Sequence, residues 1–520
     1  MRRLIVLGLA TGLLAVACSG SAPAATTVAT TAATSSTTAP APPVSPWDWP
    51  TYGHDAQHTF HGRTTLTPAT ATGLKQAWMF PTGDAVTATP TVVDGTVYAG
   101  SWDGFFYAVD LATGKLRWKF RLHPQPKISP QPGQVPRDFS SDGGMVTASA
   151  WYQRGVGGGR DLVIFGGGYT LYALDAATGK TVWSHDYTGR PEHPSDPAAD
   201  ETRIFSSPVV ADGKVLFATS ADGDDGYRGR VIAADLRTGK PDWVVETDTA
   251  ADGSIPNDGC GNVWSSGTLL PAAGTVVFTV ADCNFSSTGP YSETVLAVRV
   301  ADGKTAWRYR PARPDLGCDW DFGATANAGI DAAGHATFLG VGAKDGTYYS
   351  LDPATGQERW TTNVVFGGLA GGFIATTAYD GTRVYGSTAI GDFGRFEGVG
   401  EKVCRPSDPR DTTQQEPTVH AFDATTGKVA YQASNAASFA PTTVAGGMTF
   451  NGVGLDPVID VRSAADGKVL ATYRLAAPCW SGIATVGNAI VFGTGASQQG
   501  SPDGIIAYTP AGAAPSVPSA

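Results

Sequence analysis

Three side chains that could take part in catalysis stand where this 520-residue chain departs from an otherwise repetitive pattern. Asp321 follows Trp320 and a second acidic residue, Asp319, and its carboxylate could take a proton from a hydroxyl group. The ammonium of Lys344 could stabilise negative charge on a neighbouring oxygen, and the indole of Trp264 offers a flat stacking face. Each also has a plainer interpretation: an acidic loop, a solvated turn and one more core tryptophan.

Oxygen-bearing side chains at two other breaks in the pattern could serve a metal ion. Asp224 and Asn284 carry the hard oxygen atoms that calcium prefers, although an acidic surface turn and an ordinary turn asparagine explain them equally well. His54, His58 and His61 have a spacing that could suit a metal on a helix, but the glycines around them indicate a loop. We therefore expect no metal site among these histidines, and no cysteine–histidine spacing indicates zinc.

A repeated supersecondary unit must position these side chains. Residues 107–118, 172–183 and 349–360 each pass through an Ala-Thr-Gly turn and end in tryptophan, and such repetition indicates a repeat architecture. In the first full copy, strands are predicted at 89–93, 96–101, 105–110 and 116–120. The turns between them contain Gly95, Gly104 and Gly114, and glycine tolerates positive φ. Four antiparallel strands in each unit make one blade of a β-propeller.

The number of blades follows from the aromatic residues of the predicted fourth strands. Seven such residues belong to complete units: Trp118, Trp183, Trp243, Trp307, Trp360, Tyr431 and Tyr473. An eighth, Trp78, precedes the first blade, while three predicted strands within 482–508 lack a fourth. If the strand of Trp78 completes the last blade, the ring closes without open sheet edges. The sequence therefore predicts an all-β fold, an eight-bladed β-propeller of four-stranded antiparallel blades closed by pairing of N- and C-terminal strands. A β-sandwich or several small domains would explain neither the surplus strand nor the deficit.

The N-terminal sequence predicts export and lipid attachment. Two arginines and a short apolar run indicate a signal peptide over residues 1–17, since a membrane span needs about 20 apolar residues. Cys18 follows Leu-Ala-Val-Ala, which resembles the lipobox of bacterial lipoproteins; an ordinary signal peptide with a chance cysteine is the alternative. Residues 18–46 are predicted to be the lipidated cysteine and a disordered Ser/Thr/Ala/Pro tether, 47–510 the propeller, and 511–520 a disordered tail. We expect an extracytoplasmic protein that is lipid-anchored to a bacterial membrane.

The net charge argues against one class of function, and the cysteine count bears on disulfide formation. The net charge of −11 disfavours nucleic-acid binding, which needs a basic surface. Of the six cysteines, five follow Cys18, so at least one has no partner within the chain. Disulfides can form, because an exported protein enters an oxidising compartment. Cys260 and Cys283 are predicted on neighbouring strands of one repeat and form the best candidate disulfide.

The repeat Ala-x-Asp-x-x-Thr-Gly-Lys-x-x-Trp resembles that of the quinoprotein alcohol dehydrogenases, propellers that bind pyrroloquinoline quinone (PQQ). Residues 49–55 and 88–104 look closest to the polyvinyl alcohol dehydrogenase branch. The resemblance covers residues 49–508. It implies a PQQ and calcium site over the propeller axis and oxidation of a small or polymeric alcohol by hydride transfer to PQQ.

The resemblance also implies a role for each candidate residue. Asp224, Asn284 and Asp321 take the positions of calcium ligands, and Asp321 also aligns with the catalytic base. Trp264 matches the tryptophan on which the quinone lies, and Lys344 matches the cation that contacts the quinone oxygens. The lanthanide-using members have a second aspartate where this chain has Gly323, so calcium is the expected metal.

Departures from the family pattern keep a second function open. Asp224 replaces a glutamate, and the chain lacks the adjacent cysteine pair of many members. It also lacks a Cys-x-x-Cys-His haem motif, so an enzyme of this type would need an external electron acceptor. The alternative is a non-catalytic, protein-binding scaffold similar to the lipoprotein propeller of the outer-membrane barrel-assembly machinery. The charged segment around Asp321 favours the enzyme.

Overall fold

The architecture is that of a propeller built from one compact unit of the chain, Ala41–Ala520. The computed structural model describes residues 44–123, 145–187, 202–221, 229–249, 261–281, 289–313, 320–365, 367–368, 370–391, 416–434, 436–454, 456–495 and 503–518. In this part of the chain, no helix combines the length and the apolar character needed to cross a membrane.

Eight antiparallel sheets of four strands form the blades, which confirms the predicted fold class. Their strands, from the first to the fourth of each blade, are: blade 1, Thr91–Val93, Thr96–Gly100, Phe105–Asp110 and Leu116–Arg121; blade 2, Trp151–Val156, Arg160–Gly167, Thr170–Asp175 and Thr181–Asp186; blade 3, Val209–Ala211, Lys214–Ala221, Arg230–Asp235 and Pro241–Glu246; blade 4, Thr268–Leu270, Thr275–Val280, Thr294–Arg299 and Thr305–Tyr309; blade 5, Asn327–Ile330, Ala336–Gly342, Thr347–Leu351 and Glu358–Asn363; blade 6, Ala378–Tyr379, Arg383–Ser387, Val419–Asp423 and Val429–Ala433; blade 7, Thr443–Ala445, Met448–Gly452, Val458–Ser463 and Val469–Arg474; blade 8, Ala484–Gly487, Ala489–Thr494, Gly504–Pro510 and Leu74–Pro81.

A few short elements lie outside this plan. Arg63–Thr64 pairs in parallel with the first strand of blade 8, and Thr202–Arg203 pairs with the second strand of blade 3. Ala370–Gly372 and Ala389–Gly391 form a two-stranded ribbon. Among the described residues, the helical elements are one turn of α-helix, Pro68–Ala71, and one 3₁₀ turn, Pro271–Ala273.

The ring closes as the sequence predicts. Leu74–Pro81 pairs antiparallel with Gly504–Pro510, and Trp78 lies opposite Ala507. The fourth strand of the last blade therefore comes from the N-terminal end of the domain. The sequence suggested a disordered tail from residue 511, but residues 511–518 are described, and Ser516 exchanges hydrogen bonds with Asn488 beside blade 8.

The repeated turn and the repeated tryptophan join neighbouring blades. The indole N–H of Trp243 donates to the carbonyl of Val300 in blade 4, over 3.0 Å, and the turn residue Gly303 packs against the same ring. Equivalent tryptophans make the same bond between other neighbours: Trp78, Trp118, Trp183, Trp307 and Trp360. The Thr-Gly repeat is thus the docking surface for the aromatic residue of the preceding blade.

An N-terminal segment, residues 47–64, runs along the first strands of the blades. Its hydrogen bonds reach blades 1, 2, 4, 5, 6, 7 and 8 in chain order, through Trp49, Pro50, Ala56, Gln57, Thr59, Phe60 and Arg63. Around the histidines the segment is a loop, as its glycines indicate. His58 within it is buried, and its two ring nitrogens face the carbonyls of Tyr52 and Gly267. Its contacts are therefore structural.

Candidate functional site

Asp321 and Lys344 form a buried ion pair in blade 5. The Nζ atom of Lys344 lies 3.0 Å from Oδ1 of Asp321, and the two side chains are only 5% and 2% exposed. The backbone N–H of Lys344 also donates to the carbonyl of Asp321 over 2.9 Å. Asp321 stands in the segment before the first strand of the blade, and Lys344 in the turn between the second and third strands. The fold therefore brings together two residues that were singled out separately.

Glycines allow the Lys344 turn to sit this deeply. Gly346 has φ +80°, a left-handed conformation that glycine adopts without strain. At Gly367 a Cβ atom would lie 1.6 Å from the carbonyl oxygen of Lys344, and at Gly372 it would lie 2.4 Å from that oxygen. The backbone between blades 5 and 6 can approach the turn only because these positions carry no side chain.

Trp264 completes the group. The Lys344 ammonium lies 4.8 Å from the centre of the indole ring, within the range of a cation–π interaction. The Trp264 side chain is 38% exposed, which is high for a tryptophan in the interior of a propeller. The indole therefore contacts the buried ammonium while part of its ring remains accessible.

Trp264 also lines a cavity to which every blade contributes. The cavity has a volume of about 180 Å³. Its walls come from the residues before the first strand of each blade: Thr87 to Thr89, Thr147, Ser149, Phe205, Ser207, Trp264 to Ser266, Gly323, Thr325, Ile374 to Thr376, Phe439, Pro441 and Trp480, together with Tyr52. Because all blades meet there, the cavity lies on the propeller axis.

A collar of hydroxyl groups surrounds this cavity, and the sequence reasoning did not find it. The backbone N–H of one blade donates to the hydroxyl of the next, in the order Ser149 to Ser207, Ser207 to Ser266, Ser266 to Thr325 and Thr325 to Thr376. A signal existed: blades 1 to 6 each have Ser or Thr two residues before the first strand. Among the described residues, the hydroxyls of Thr89, Thr147 and Ser149 are buried without a hydrogen-bond partner, so this wall could bond a polar ligand.

Arg313 joins the two loops that carry the ion pair. Its guanidinium donates to the carboxylate of Asp345 over 2.7 Å and to the carbonyl of Trp320. Oε2 of Glu293 lies 3.4 Å from the guanidinium nitrogen that bonds Trp320. Tyr349 donates its hydroxyl to the same Asp345 oxygen over 2.7 Å. Sequence reasoning missed Arg313 because no motif marks it.

The described residues around Trp264 fit a planar quinone, and they include one of the three expected calcium ligands. The open indole face, the ammonium and the unpartnered hydroxyls suit an aromatic ligand with several oxygen atoms. Of the expected calcium ligands, Asp321 is described, whereas Asp224 and Asn284 lie outside the described residues. Within the described ranges, no three carboxylate, histidine or cysteine side chains form a metal-binding group.

The predicted lipidation and disulfide sites are not part of the described structure either. Cys18, Cys260 and Cys283 all lie outside the described residues. Cys479, which is described, is buried with a free thiol, and burial raises the pKa of that thiol to about 12. A thiol in this state is a poor nucleophile.

Relatives were found by sequence over about two thirds of the chain. The dehydrogenase subunit of a quinone-type alcohol dehydrogenase from Gluconacetobacter polyoxogenes is 28% identical over 385 residues, which are 66% of this chain and 49% of that protein. A polyvinylalcohol dehydrogenase from Pseudomonas sp. is 24% identical over 375 residues, 66% of this chain and 56% of that protein. The chain thus spans about half the length of these relatives.

Solved structures share the fold. The quinohemoprotein alcohol dehydrogenase from Comamonas testosteroni superimposes with a TM-score of 0.65 at 19% identity, covering 91% of this chain and 82% of that one. BamB from Moraxella catarrhalis gives a TM-score of 0.52 at 14% identity, covering 84% and 97%.

Two family profiles match the sequence. The profile of the outer membrane protein assembly factor BamB matches residues 344–512. The profile of the glucose/ethanol/alcohol dehydrogenase β-propeller domain, the PQQ family, matches residues 49–365, more than half of the chain. The chain therefore belongs to the PQQ family, whose domain is the β-propeller of the glucose, ethanol and alcohol dehydrogenases.

Proposed function

We propose that this protein is a quinoprotein dehydrogenase that oxidises an alcohol with bound PQQ and calcium. The observation that carries the proposal is the convergence of the Asp321–Lys344 ion pair on Trp264, which itself lines the axial cavity. These three residues come from different segments of blades 4 and 5. A scaffold would gain little from a buried ion pair beside an open indole, since such a pair costs desolvation energy.

Each residue has a definite task in this proposal. Trp264 provides the face on which the quinone stacks, and Lys344 places a positive charge beside its oxygens. Asp321 accepts the hydroxyl proton of the alcohol at its carboxylate and, with Asp224 and Asn284, would hold calcium. PQQ supplies the acceptor for the hydride. The polar collar of the axial cavity keeps the ligand oriented.

The surroundings of the reaction belong to the same proposal. The substrate is a small or polymeric alcohol, and an external acceptor removes the electrons. The protein works outside the cytoplasm, attached to the membrane by lipid on Cys18. Cys260 and Cys283 form a disulfide. The leader-like first residues and the Ser/Thr-rich stretch after Cys18 support the location.

Binding of PQQ to the purified protein tests the proposal. The full chain is mixed with PQQ and calcium, and bound quinone is measured by absorbance, followed by dye-linked oxidation of alcohols. Asp321→Ala is expected to abolish turnover while PQQ stays bound, whereas Trp264→Ala should weaken PQQ binding. Asp466→Ala, at an exposed pair in blade 7, serves as the control. Absence of stoichiometric PQQ binding would refute the proposal.

A second candidate function is a protein-binding scaffold. It is supported by the BamB profile over residues 344–512 and by the shared fold of the Moraxella catarrhalis protein. This function predicts no PQQ binding and no loss of function in Asp321→Ala. Capture of a defined protein partner by the PQQ-free chain would favour it.

A further inference from the structure

We infer that Arg313 is a positioning residue that fixes the separation of Asp321 and Lys344. This inference rests on the proposed function, since it assigns a role within the same site. Arg313 does not touch the ion pair itself. It holds the residue before Asp321 and the residue after Lys344, so both loops are tied to one side chain.

The contacts of the guanidinium define this clamp. One nitrogen, Nη1, donates to Oδ2 of Asp345 over 2.7 Å. The other, Nη2, donates to the carbonyl of Trp320 and faces Glu293. Trp320 and Asp345 are the direct neighbours of Asp321 and Lys344 in the chain. A shift of either loop would therefore break one of the bonds to Arg313.

The acceptor of the clamp is itself fixed. Asp345 receives the hydroxyl of Tyr349 at Oδ2 over 2.7 Å and the backbone N–H of Thr347 at Oδ1 over 2.8 Å. Asp345 and Arg313 are buried, with side chains 10% and 11% exposed. Little water reaches the pair, so its hydrogen bonds are stronger than those of a surface pair. Arg313 thus connects the end of blade 4 to a rigid point in blade 5.

Of the two long cationic side chains, only arginine can bond both loops at once. A guanidinium presents several N–H donors in one plane, whereas a lysine ammonium is a point charge on a flexible stem. Lysine at this position would reach one loop or the other. Arg359, on the fourth strand of blade 5, offers a matched comparison. It also donates to one carboxylate, of Asp352, and to one carbonyl, of Thr337, but its side chain is 40% exposed.

Hydrogen exchange in the cofactor-free protein tests the clamp without any turnover. Exchange is followed by mass spectrometry in peptides covering residues 320–326 and 343–347. In Arg313→Gln, we expect about tenfold faster exchange of these two loops, a local opening, while the core strand Thr275–Val280 stays protected. Arg313→Lys should show the same change to a smaller degree. Arg359→Gln should leave both loops as in the wild type.

Kinetics of the PQQ-loaded protein give the second readout. A displacement of about 1 Å can lower a rate about 100-fold, so Arg313→Gln should lower kcat by about that factor. The KM for the alcohol and the Kd for PQQ should change less than kcat, because the stacking face of Trp264 and the charge of Lys344 remain. A structural role alone would lower the amount of folded protein and leave kcat per bound PQQ unchanged.

The outcomes separate this inference from the proposed function. If the wild type binds no PQQ, the proposed function fails, yet the exchange experiment still decides whether Arg313 fixes the loops. Unchanged loop exchange in both variants would overturn the clamp, and so would an increase spread evenly over the whole domain. Looser loops with an unchanged kcat would overturn the link to catalysis. If Arg313→Gln does not fold, Arg313→Lys carries the same test.

Discussion

At the scale of single residues, burial gives the Asp321–Lys344 pair its importance. An exposed ion pair contributes little, because water screens both charges, whereas removal of one member of a buried pair leaves a charge without compensation. The chain contains a buried and an exposed ion pair with the same distance between nitrogen and oxygen. Lys468 and Asp466 are also 3.0 Å apart, but their side chains are 81% and 46% exposed.

Asp321→Asn should therefore destabilise the fold, while Asp466→Asn should not. We expect a loss of about 3–5 kcal/mol for the buried site and about 1 kcal/mol or less for the exposed one. Urea unfolding of the two variants measures the difference. The double variant Asp321→Asn/Lys344→Met should recover part of the loss. Equal losses at the two sites would contradict the argument.

His420 gives a prediction about pH. Its Nδ1 accepts a hydrogen bond from the Gln432 amide over 3.0 Å, and its Nε2 lies 3.2 Å from the Thr388 hydroxyl, so the ring is neutral. Burial lowers the pKa of His420 from 6.5 to about 3. Between pH 6.5 and pH 3, His420 becomes protonated in the unfolded chain but stays neutral in the folded protein. His420 therefore leaves the free energy of unfolding unchanged above pH 6.5 and lowers it progressively as the pH falls toward 3.

Urea unfolding between pH 4 and pH 6.5 measures this effect. The unfolding free energy of the wild type should fall by up to about 1.4 kcal/mol per pH unit on account of His420. Carboxylates add their own pH dependence, which the variant His420→Gln retains. The slope of the variant should therefore be smaller by about one proton. Identical slopes in the two proteins would mean that His420 takes up its proton in the fold as well.

At the scale of elements, the turn glycine and the tryptophan of the preceding blade make up the repeated joint of the propeller. At Gly303, with φ +71°, a Cβ atom would lie 2.6 Å from the indole of Trp243. Gly213 has a similar φ of +74°, but nothing lies within 4 Å of its Cβ position. The two glycines separate the backbone requirement from the packing requirement.

Gly303→Ala should cost more stability than Gly213→Ala. Both variants place alanine in the left-handed region, which costs about 1–2 kcal/mol. Gly303→Ala adds overpacking against Trp243, typically about 1–3 kcal/mol. The midpoints of urea unfolding give the comparison. A larger effect at Gly213 would show that the indole does not dock on the turn.

At the scale of the whole molecule, residues from the two ends of the domain hold the ring together. The strand Leu74–Pro81 closes blade 8, and the N-terminal segment 47–64 bonds to most of the other blades. Trp49 anchors this segment: its side chain is fully buried and contacts the rings of His54 and Phe60. Trp47, two residues earlier, is only partly buried and lies near Arg63.

Trp49→Ala should weaken the whole propeller, and Trp47→Ala should have a small effect. Removal of a buried tryptophan side chain costs about 3–5 kcal/mol. Loss of a partly exposed cation–π contact costs about 1 kcal/mol or less. Thermal unfolding of the two variants distinguishes them. Similar melting temperatures would mean that the N-terminal segment contributes little to the stability of the ring.

The sequence by itself determined the fold, and the reason is local. Every repeat carries its own strands, its Thr-Gly turn and its docking aromatic residue, so the pattern could be read without knowledge of distant contacts. The surplus strand of Trp78 and the missing fourth strand at the other end fixed eight blades and the closure. Trp264, Asp321 and Lys344 could be named because they interrupt that pattern in the order expected of the family.

Only the tertiary structure decided how these residues meet. The buried ion pair, the ammonium above the indole and the bond from Arg313 to both loops join segments of blades 4 and 5 that are far apart in sequence. The hydroxyl collar forms because neighbouring blades present the same position to one axis. Such contacts depend on distances between blades, and a linear pattern of residue types carries no such distances. The repeat specifies each blade, and the ring brings the residues of the site together.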